Sequence, residues 1–141
     1  MAADTVPVEF LYHVHLDIGT TTFVSGAPGG TRIIAEVKGG TFEGPRLKGT
    51  VGPAPGGDWV TVRADGSMLL DVRLILTTHD GANIFVSYTG LLRNVDGTMQ
   101  ARGAPRFETG DERYAWLNSV HGLGIGTTGP EGVDYDIYAV L

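Results

Sequence analysis

The sequence predicts an all-β protein that forms a closed antiparallel barrel of about eight strands with one short helix. Apolar and polar residues alternate with a period of two in six segments, which is typical of half-buried strands. Glycine-containing turn dipeptides separate these segments. With 22 glycines and 18% charged residues, the chain offers few positions for a long helix. A two-sheet sandwich is the alternative, and a barrel is favoured because it leaves no sheet edge exposed.

The predicted strands occupy residues 8–17, 31–38, 58–64, 68–78, 83–91 and 133–141. The turn dipeptides are Gly29-Gly30, Gly39-Gly40, Gly56-Gly57, Asp65-Gly66, Asp80-Gly81 and Asp96-Gly97. The three Asp-Gly pairs follow one another at similar intervals and predict consecutive hairpins. Residues 110–120 carry acidic side chains at their start and form the one helix candidate. A helix of this length fits one end of a barrel.

Composition limits the classes of function. The length of 141 residues suits a single domain over residues 1–141. The chain lacks cysteine, which excludes disulfides and thiol nucleophiles and agrees with a cytoplasmic location. Sixteen acidic residues against ten basic ones give a net charge of −6, which disfavours nucleic acid as a partner. No apolar run approaches the roughly 18 residues of a membrane helix, so we expect no membrane partner.

Each Asp-Gly pair predicts a two-residue turn, which fixes the register, so cross-strand neighbours can be counted outward from each turn. Counting from the first Asp-Gly pair places Asp58 opposite Arg73. Counting from the second places Arg73 opposite Tyr88. These three side chains then share one row, and Asp71 lies beside them on the same face. Because the rest of that face is apolar, this charged row predicts a small-molecule site.

The charged row suits proton abstraction next to a carbonyl group. Asp58 or Asp71 is the candidate base, while Arg73 and Tyr88 are candidates to hold the developing oxyanion. The structural alternative is an ion-pair network that only satisfies its own charges. We therefore expect a cofactor-free isomerase, cyclase or lyase that acts on an enolisable, oxygenated small molecule. A non-catalytic ligand-binding barrel is the second hypothesis, and a solidly packed structural subunit is the third.

Two further pairs of residues are predicted to bind substrate. Arg32 and Glu36 share a face of the second strand, where a plain surface ion pair is the alternative. Tyr114 and Trp116 belong to the helix candidate, where aromatic side chains also serve as core residues. The opposite sheet face is apolar as well, which predicts that a second copy covers it in a homodimer.

Two other motifs are set aside. His13 and His15 are spaced so that both rings project from one strand face, but no spacing identifies a third metal ligand, and we expect no metal. Gly124, Gly126 and Gly129 fit the G-x-G-x-x-G pattern. A dinucleotide site would need a following helix and a distant acidic residue, so we interpret this segment as a glycine-rich strand and turn, and expect no cofactor.

Four segments together resemble a known family. They are GGTFEGPRLKGTV (39–51), GGDWVTVRADG (56–66), LLDVRLILTTHDGANIFVSYTG (69–90) and RFETGDERYAWLN (106–118). In order and spacing they resemble the domain of unknown function 3237 family, small proteins of bacteria and fungi. The resemblance covers essentially the whole chain and implies an antiparallel barrel of about eight strands. It implies little about chemistry. Asp58, Asp71 and Arg73 fall within the resemblance, whereas His13 and His15 do not.

Overall fold

A computed structural model describes residues 2–141 as ten antiparallel strands and one short 3-10 helix. The strands are β1 (Val8–Ala27), β2 (Gly30–Glu43), β3 (Lys48–Val51), β4 (Gly56–Val62), β5 (Met68–Thr78), β6 (Asn83–Val95), β7 (Thr98–Gly103), β8 (Arg106–Glu108), β9 (Gly122–Gly129) and β10 (Gly132–Val140). The helix η1 (Glu112–Ser119) lies between β8 and β9. The prediction of an all-β protein with one short helix is confirmed. Within residues 2–141, no helix has the length and hydrophobicity that crossing a membrane requires.

Eight strands pair in a ring. The order β1, β2, β4, β5, β6, β7, β9, β10 returns to β1, so each of these strands has a neighbour on both sides. The two shortest strands take over where others stop: β3 bridges β2 and β5, and β8 pairs with β6. The described residues thus form ten strands rather than about eight. The sequence prediction did not include β3, β7 and β8.

The hairpin loops differ from the predicted ones, and this corrects the register. Of the three Asp-Gly pairs, only Asp96-Gly97 forms a two-residue turn, in which both residues have positive φ. In the β4–β5 and β5–β6 loops, three residues separate the paired ends, and the glycine is the one with positive φ. Such three-residue loops are the next most common hairpin connection. Each of these two loops is therefore one residue longer than predicted.

The longer loops move the side chains of β5 to the opposite faces. Asp58 lies opposite Val72, and Val72 lies opposite Tyr88. Val72 is buried, which places Asp58 and Tyr88 on the inner face of the ring. The predicted neighbours Asp71 and Arg73 lie on the outer face, and their placement with Asp58 was wrong. Asp58 and Tyr88 still share a row because the two one-residue errors cancel between β4 and β6.

The two ends of the ring differ. At one end, large side chains fill the interior, among them Tyr12, Phe42 and Phe107, whose rings meet edge to face. Leu117 of η1 is fully buried in the same core, so the helix closes this end as its position in the sequence suggested. At the other end the interior holds a cavity. On the outer face, Leu69 and Leu91 lie opposite each other and are exposed, and the homodimer stays a prediction.

Two glycines leave space for the side chains of Tyr88 and Tyr135 in the interior that the paired strands enclose. Gly126 lies opposite Tyr135, and a Cβ atom at Gly126 would lie 2.6 Å from a carbon of the Tyr135 ring. A Cβ atom at Gly103 would lie 2.9 Å from the ring of Tyr88. Non-bonded carbon atoms do not lie this close together, so a side chain at either position would require the tyrosine or the strand to shift. The glycine-rich segment is strand β9 followed by a turn, as predicted, and its glycines accommodate Tyr135.

We expect Gly126→Ala to destabilise the protein by about 1–3 kcal/mol, because the added methyl group overpacks the interior against Tyr135. Gly129→Ala is the matched control, since Gly129 lies in the same strand with open space around it. Urea unfolding followed by tryptophan fluorescence gives both free energies of unfolding. Equal stability of the two variants would contradict the packing role of Gly126.

Candidate functional site

Asp58 lies at a gap in the wall of the ring. The β4–β5 pairing runs through Asp58 opposite Val72 and resumes at Thr61, so Trp59 and Val60 have no partner in β5. The Asp58 carboxylate fills part of this gap: its Oδ1 accepts a hydrogen bond of 3.0 Å from the backbone N–H of Asp71. This bond fixes one carboxylate oxygen and leaves the other available to a ligand.

The carboxyl group of Asp58 is hard to ionise. Burial among apolar side chains raises its pKa from 3.8 to about 6, and the nearby Asp71 carboxylate acts in the same direction. The hydrogen bond from the Asp71 N–H opposes these effects. A carboxyl group with this pKa exchanges protons near neutral pH, which is the property that general acid–base catalysis requires.

Two tyrosines line the inner face with Asp58: Tyr135 is buried and Tyr88 is partly buried. The rings of Tyr88 and Tyr135 meet edge to face with their centroids 5.7 Å apart. Burial raises the pKa of both hydroxyls, to about 12 for Tyr135, and the charge of Asp58 adds to the shift in each case. Both phenols are therefore protonated at neutral pH and can donate hydrogen bonds.

A cavity of about 50 Å³ connects these three side chains. Its remaining lining is almost entirely apolar, comprising Leu16, Ile18, Val37, Leu70, Val72, Leu92, Ala101, Thr128 and Val133. A volume of this size holds a few water molecules or the end of a small organic molecule. Larger clefts on the surface, such as one of about 590 Å³ beside His13 and His79, are open grooves. The cavity is the place where a carboxyl group and two phenols meet in apolar surroundings.

Arg73 and Asp71 lie on the outer face, away from this cavity. The guanidinium of Arg73 approaches the Asp71 carboxylate at 3.8 Å and lies over the ring of Trp59 at 5.7 Å. More than half of the Arg73 side chain is exposed. The pair matches the structural alternative, an exposed ion pair of small energetic weight. Successive side chains of a strand point to opposite faces of the sheet. Asp71 and Arg73 point outward and Tyr88 points inward, so neither Asp71 nor Arg73 can act together with Tyr88.

The four predicted substrate-binding residues are also divided between other places. Arg32 donates a hydrogen bond of 2.9 Å to Thr61 and lines an outer groove with Trp59 and Asp71. Glu36 is exposed in β2. Tyr114 and Trp116 belong to η1, which lies at the closed end of the ring. None of the four lines the cavity that holds Asp58.

The helix aromatics have structural partners. The Tyr114 hydroxyl donates to the Asp80 carboxylate at 2.8 Å, which ties the helix to the β5–β6 loop. Trp116 stacks under the guanidinium of Arg46, whose central carbon lies 3.6 Å from the ring centroid. These contacts support the interpretation of both residues as part of the packing that closes this end.

His13 and His15 form a chain of contacts with aspartates on the outer face of β1 and β10. The ring of His13 contacts Asp136 at 2.9 Å and Asp134 at 3.2 Å. The ring of His15 contacts Asp134 and Asp17, both at 3.0 Å. The aspartates raise the pKa of both histidines, with Asp136 the largest cause for His13 and Asp134 for His15. When they are protonated, the two rings join β1 and β10 electrostatically.

Tyr135 was not among the site residues predicted from the sequence. This residue lies 77 positions after Asp58 (135 − 58), and only closure of the ring through β10 brings the two together. A signal was nevertheless present. The alternating glycines of β9 leave space on one face of a strand, and such space indicates a large side chain on the neighbouring strand.

We expect Asp58→Asn to stabilise the protein at alkaline pH. Folding raises the Asp58 pKa from 3.8 to about 6, so stability is full below pH 3.8 and falls as the pH rises through 6. Asparagine keeps an acceptor for the Asp71 N–H and carries no charge. Because one pKa unit corresponds to about 1.4 kcal/mol, this rise predicts that the stability of the variant relative to wild type is greater at pH 8 than at pH 3.5 by up to about 3 kcal/mol.

Urea unfolding of wild type and variant at both pH values measures this gain. Asp96→Asn is the matched control, because Asp96 lies exposed in a turn where asparagine fits equally well. If wild type and Asp58→Asn had equal free energies of unfolding at pH 8, the ionised Asp58 carboxylate would not destabilise the folded protein, and the prediction would be wrong.

A second pH dependence comes from the histidines. Folding raises their pKa, so their contribution to stability is present below pH 6.5 and is lost as the pH rises through the folded values. Asp134→Asn removes the carboxylate that both rings share, while Glu43 still faces His13 from β2. We expect this variant to lose more stability at pH 5.5 than at pH 8.5 in urea unfolding. An equal loss at both pH values would exclude protonated histidines as the cause.

Comparison with known proteins adds four findings. The family model described as "Protein of unknown function (DUF3237)" matches residues 6–140. The hydroalkoxylation enzyme phnH of Penicillium herquei is 31% identical over 118 residues, which cover 83% of this chain and 72% of that protein. A UPF0311 protein of Rhodopseudomonas palustris is 27% identical over 97% of this chain and 98% of its own length.

The fourth finding concerns the fold. The crystal structure of a beta-barrel like protein from Acinetobacter baumannii superposes with a TM-score of 0.89 at 27% identity, over 99% of each chain. The match of the family model spans nearly the whole sequence and agrees with the four segments that suggested the family. The chain therefore belongs to the family of proteins of unknown function called DUF3237.

Proposed function

We propose that this protein is a cofactor-independent acid–base enzyme that acts on an oxygenated small molecule. It closes a ring or adds the oxygen and hydrogen of a substrate hydroxyl group across a carbon–carbon double bond. The observation that carries the proposal is the partly buried Asp58, which lines a cavity with Tyr88 and Tyr135 and whose pKa is raised to about 6. The ring of eight paired strands acts here as a closed barrel, and the cavity is the open end of its lumen.

The hydroalkoxylation enzyme of Penicillium herquei supports this reaction class. Hydroalkoxylation adds an O–H group across a double bond, and the atoms balance without an oxidant or reductant. The reaction needs a group that takes a proton and returns it, and donors that hold charge on the substrate in between. Asp58 supplies the first requirement and the two tyrosines supply the second.

The chemistry proceeds in two proton transfers. The Asp58 carboxylate removes the proton of the substrate hydroxyl as its oxygen attacks a double bond conjugated to a carbonyl. A C–O bond forms, the π electrons move onto the carbonyl oxygen, and Tyr88 and Tyr135 donate hydrogen bonds to that oxygen. The protonated Asp58 then delivers its proton to the α-carbon, which restores the carbonyl group and the carboxylate.

A non-catalytic binding barrel is the second candidate function. One observation favours it: the Asp71 N–H already donates to Asp58, which gives the carboxylate a structural partner. In that case the cavity would anchor the polar end of a ligand and no proton would move. The raised pKa of Asp58 favours the enzyme, because a group needed only as a hydrogen-bond acceptor gains nothing from being difficult to ionise.

The test is turnover of hydroxyl-bearing α,β-unsaturated ketones, beginning with the ring closure of 2′-hydroxychalcone, followed by its absorbance. We expect Asp58→Asn to lower kcat by about 100-fold to 10,000-fold, and Tyr88→Phe to lower it by about 100-fold through loss of an oxyanion donor. The wild-type kcat/KM should rise with pH through about 6, since the base acts when ionised.

Arg73→Ala is the control variant, because Arg73 lies on the outer face, and its turnover should stay within about twofold of wild type. Turnover that survives in Asp58→Asn would remove Asp58 from the chemistry. Binding of such ketones without any turnover by the wild type would favour the binding barrel instead.

A further inference from the structure

The cavity beside Asp58 is too small to enclose a reacting molecule. Its volume is about 50 Å³, whereas sites for small molecules usually measure about 300–1,000 Å³. A substrate can place only its reactive end there, and the remainder must lie outside the cavity. The surface that adjoins the open end therefore determines which molecules fit.

One side of the open end rises above the other. The pairing of β1 with β10 ends at Leu16 opposite Val133, yet β1 continues to Ala27 and pairs there only with β2. In the same region β2 pairs with β4 from Thr31 to Val37. Beyond Leu16, β1 thus forms the free edge of a sheet that continues through β2 into β4, and one face of this sheet is turned toward the opening.

The register shows which side chains lie on that face. Ala35 is opposite Asp58, and Ala35 is also opposite Thr21, so this row begins at the catalytic carboxylate. Two positions further along each strand, the next row on the same face contains Phe23, Ile33 and Val60. We call these three side chains the apolar shelf.

Exposure increases across the apolar shelf. Val60 is only 6% exposed and belongs to the core, and Ile33 packs against that core while partly exposed. Phe23 is 61% exposed. A phenylalanine that lies next to an apolar surface yet contacts mainly water gains free energy when another apolar group covers it.

The shelf has a definite reach from Asp58. Phe23 lies two strands, about 10 Å, across the sheet from Asp58 and one row, about 7 Å, further along, so their Cα atoms are about 12 Å apart. The surface between them carries no charged side chain, since the intervening positions are Thr21, Ala35, Ile33 and Val60.

We propose that the apolar shelf is the second part of the substrate site and that Phe23 is a specificity-determining residue. It receives the apolar body of a molecule whose hydroxyl group reaches Asp58, over a separation of about 12 Å between the two Cα atoms. This inference rests on the proposed function for the role of Asp58, and it adds the substrate class: an alcohol or phenol attached to an extended apolar body. The continuity of the shelf with the cavity identifies this occupant.

The experiment compares two phenols that share a hydroxyl group but differ in length: phenol and 4-phenylphenol. Amide NMR titration of the full chain measures the Kd of each and confirms that every variant remains folded. We expect wild type to bind 4-phenylphenol at least tenfold more tightly than phenol. Phe23→Ala should weaken 4-phenylphenol about tenfold and change phenol by less than twofold.

Val24→Ala is the matched control. Val24 is the next residue of β1, is 49% exposed, and lies on the other face of the strand opposite Arg32. Its Kd for both phenols should stay within about twofold of wild type. Loss of binding in Phe23→Ala alone supports the shelf as a ligand surface.

Several results would overturn the inference. They are an unchanged Kd for 4-phenylphenol in Phe23→Ala, an equal loss in Val24→Ala, and a wild type that binds both phenols equally or not at all. A change from dimer to monomer in Phe23→Ala by sedimentation, with binding unchanged, would show that a second copy covers Phe23. If Phe23 governs binding but Asp58→Asn leaves turnover intact, the shelf stands and the proposed chemistry fails.

Discussion

In a ring of paired strands every side chain points either inward or outward, and the length of each hairpin loop decides which. The site of this protein depends on that constraint. Two loops of three residues bring Asp58 and Tyr88 into one inner row and turn Asp71 and Arg73 to the outside. The same alternation, carried around the ring through β9 and β10, brings in Tyr135 from the far end of the chain.

Apolar periodicity was sufficient to predict β1, β2, β4, β5, β6 and β10, because burial on one face of a strand imposes that period. The helix was predicted from the acidic residues at its start. Loop length was not readable, since an Asp-Gly pair suits both a two-residue turn and the αL position of a three-residue loop. As a result, two of the four predicted catalytic residues lie on the inner face and two do not. Tyr135 required knowledge of which strands close the ring, which depends on contacts between the two ends of the chain.

The partly buried carboxylate of Asp58 lowers the free energy of unfolding when it is ionised, a loss that an apolar side chain at this position would avoid. An apolar side chain at position 58 would suit the interior, yet the chain places an acid there and hydrogen bonds it to the Asp71 N–H at a gap in the strand pairing. Local departures from regular pairing that also disfavour a charge are common at functional sites. In this protein the gap, the acid and the two phenols occur together, which is why the site is assigned there and not to the larger surface grooves.

The two ends of the ring differ in their packing. At the closed end, Tyr12, Phe42, Phe107 and Leu117 pack beneath the helix. At the open end, the extended part of β1 leaves Phe23 and Val24 exposed. Evolution can therefore remodel the rim of such a protein and change the molecules it accepts, while the opposite end keeps the chain folded throughout.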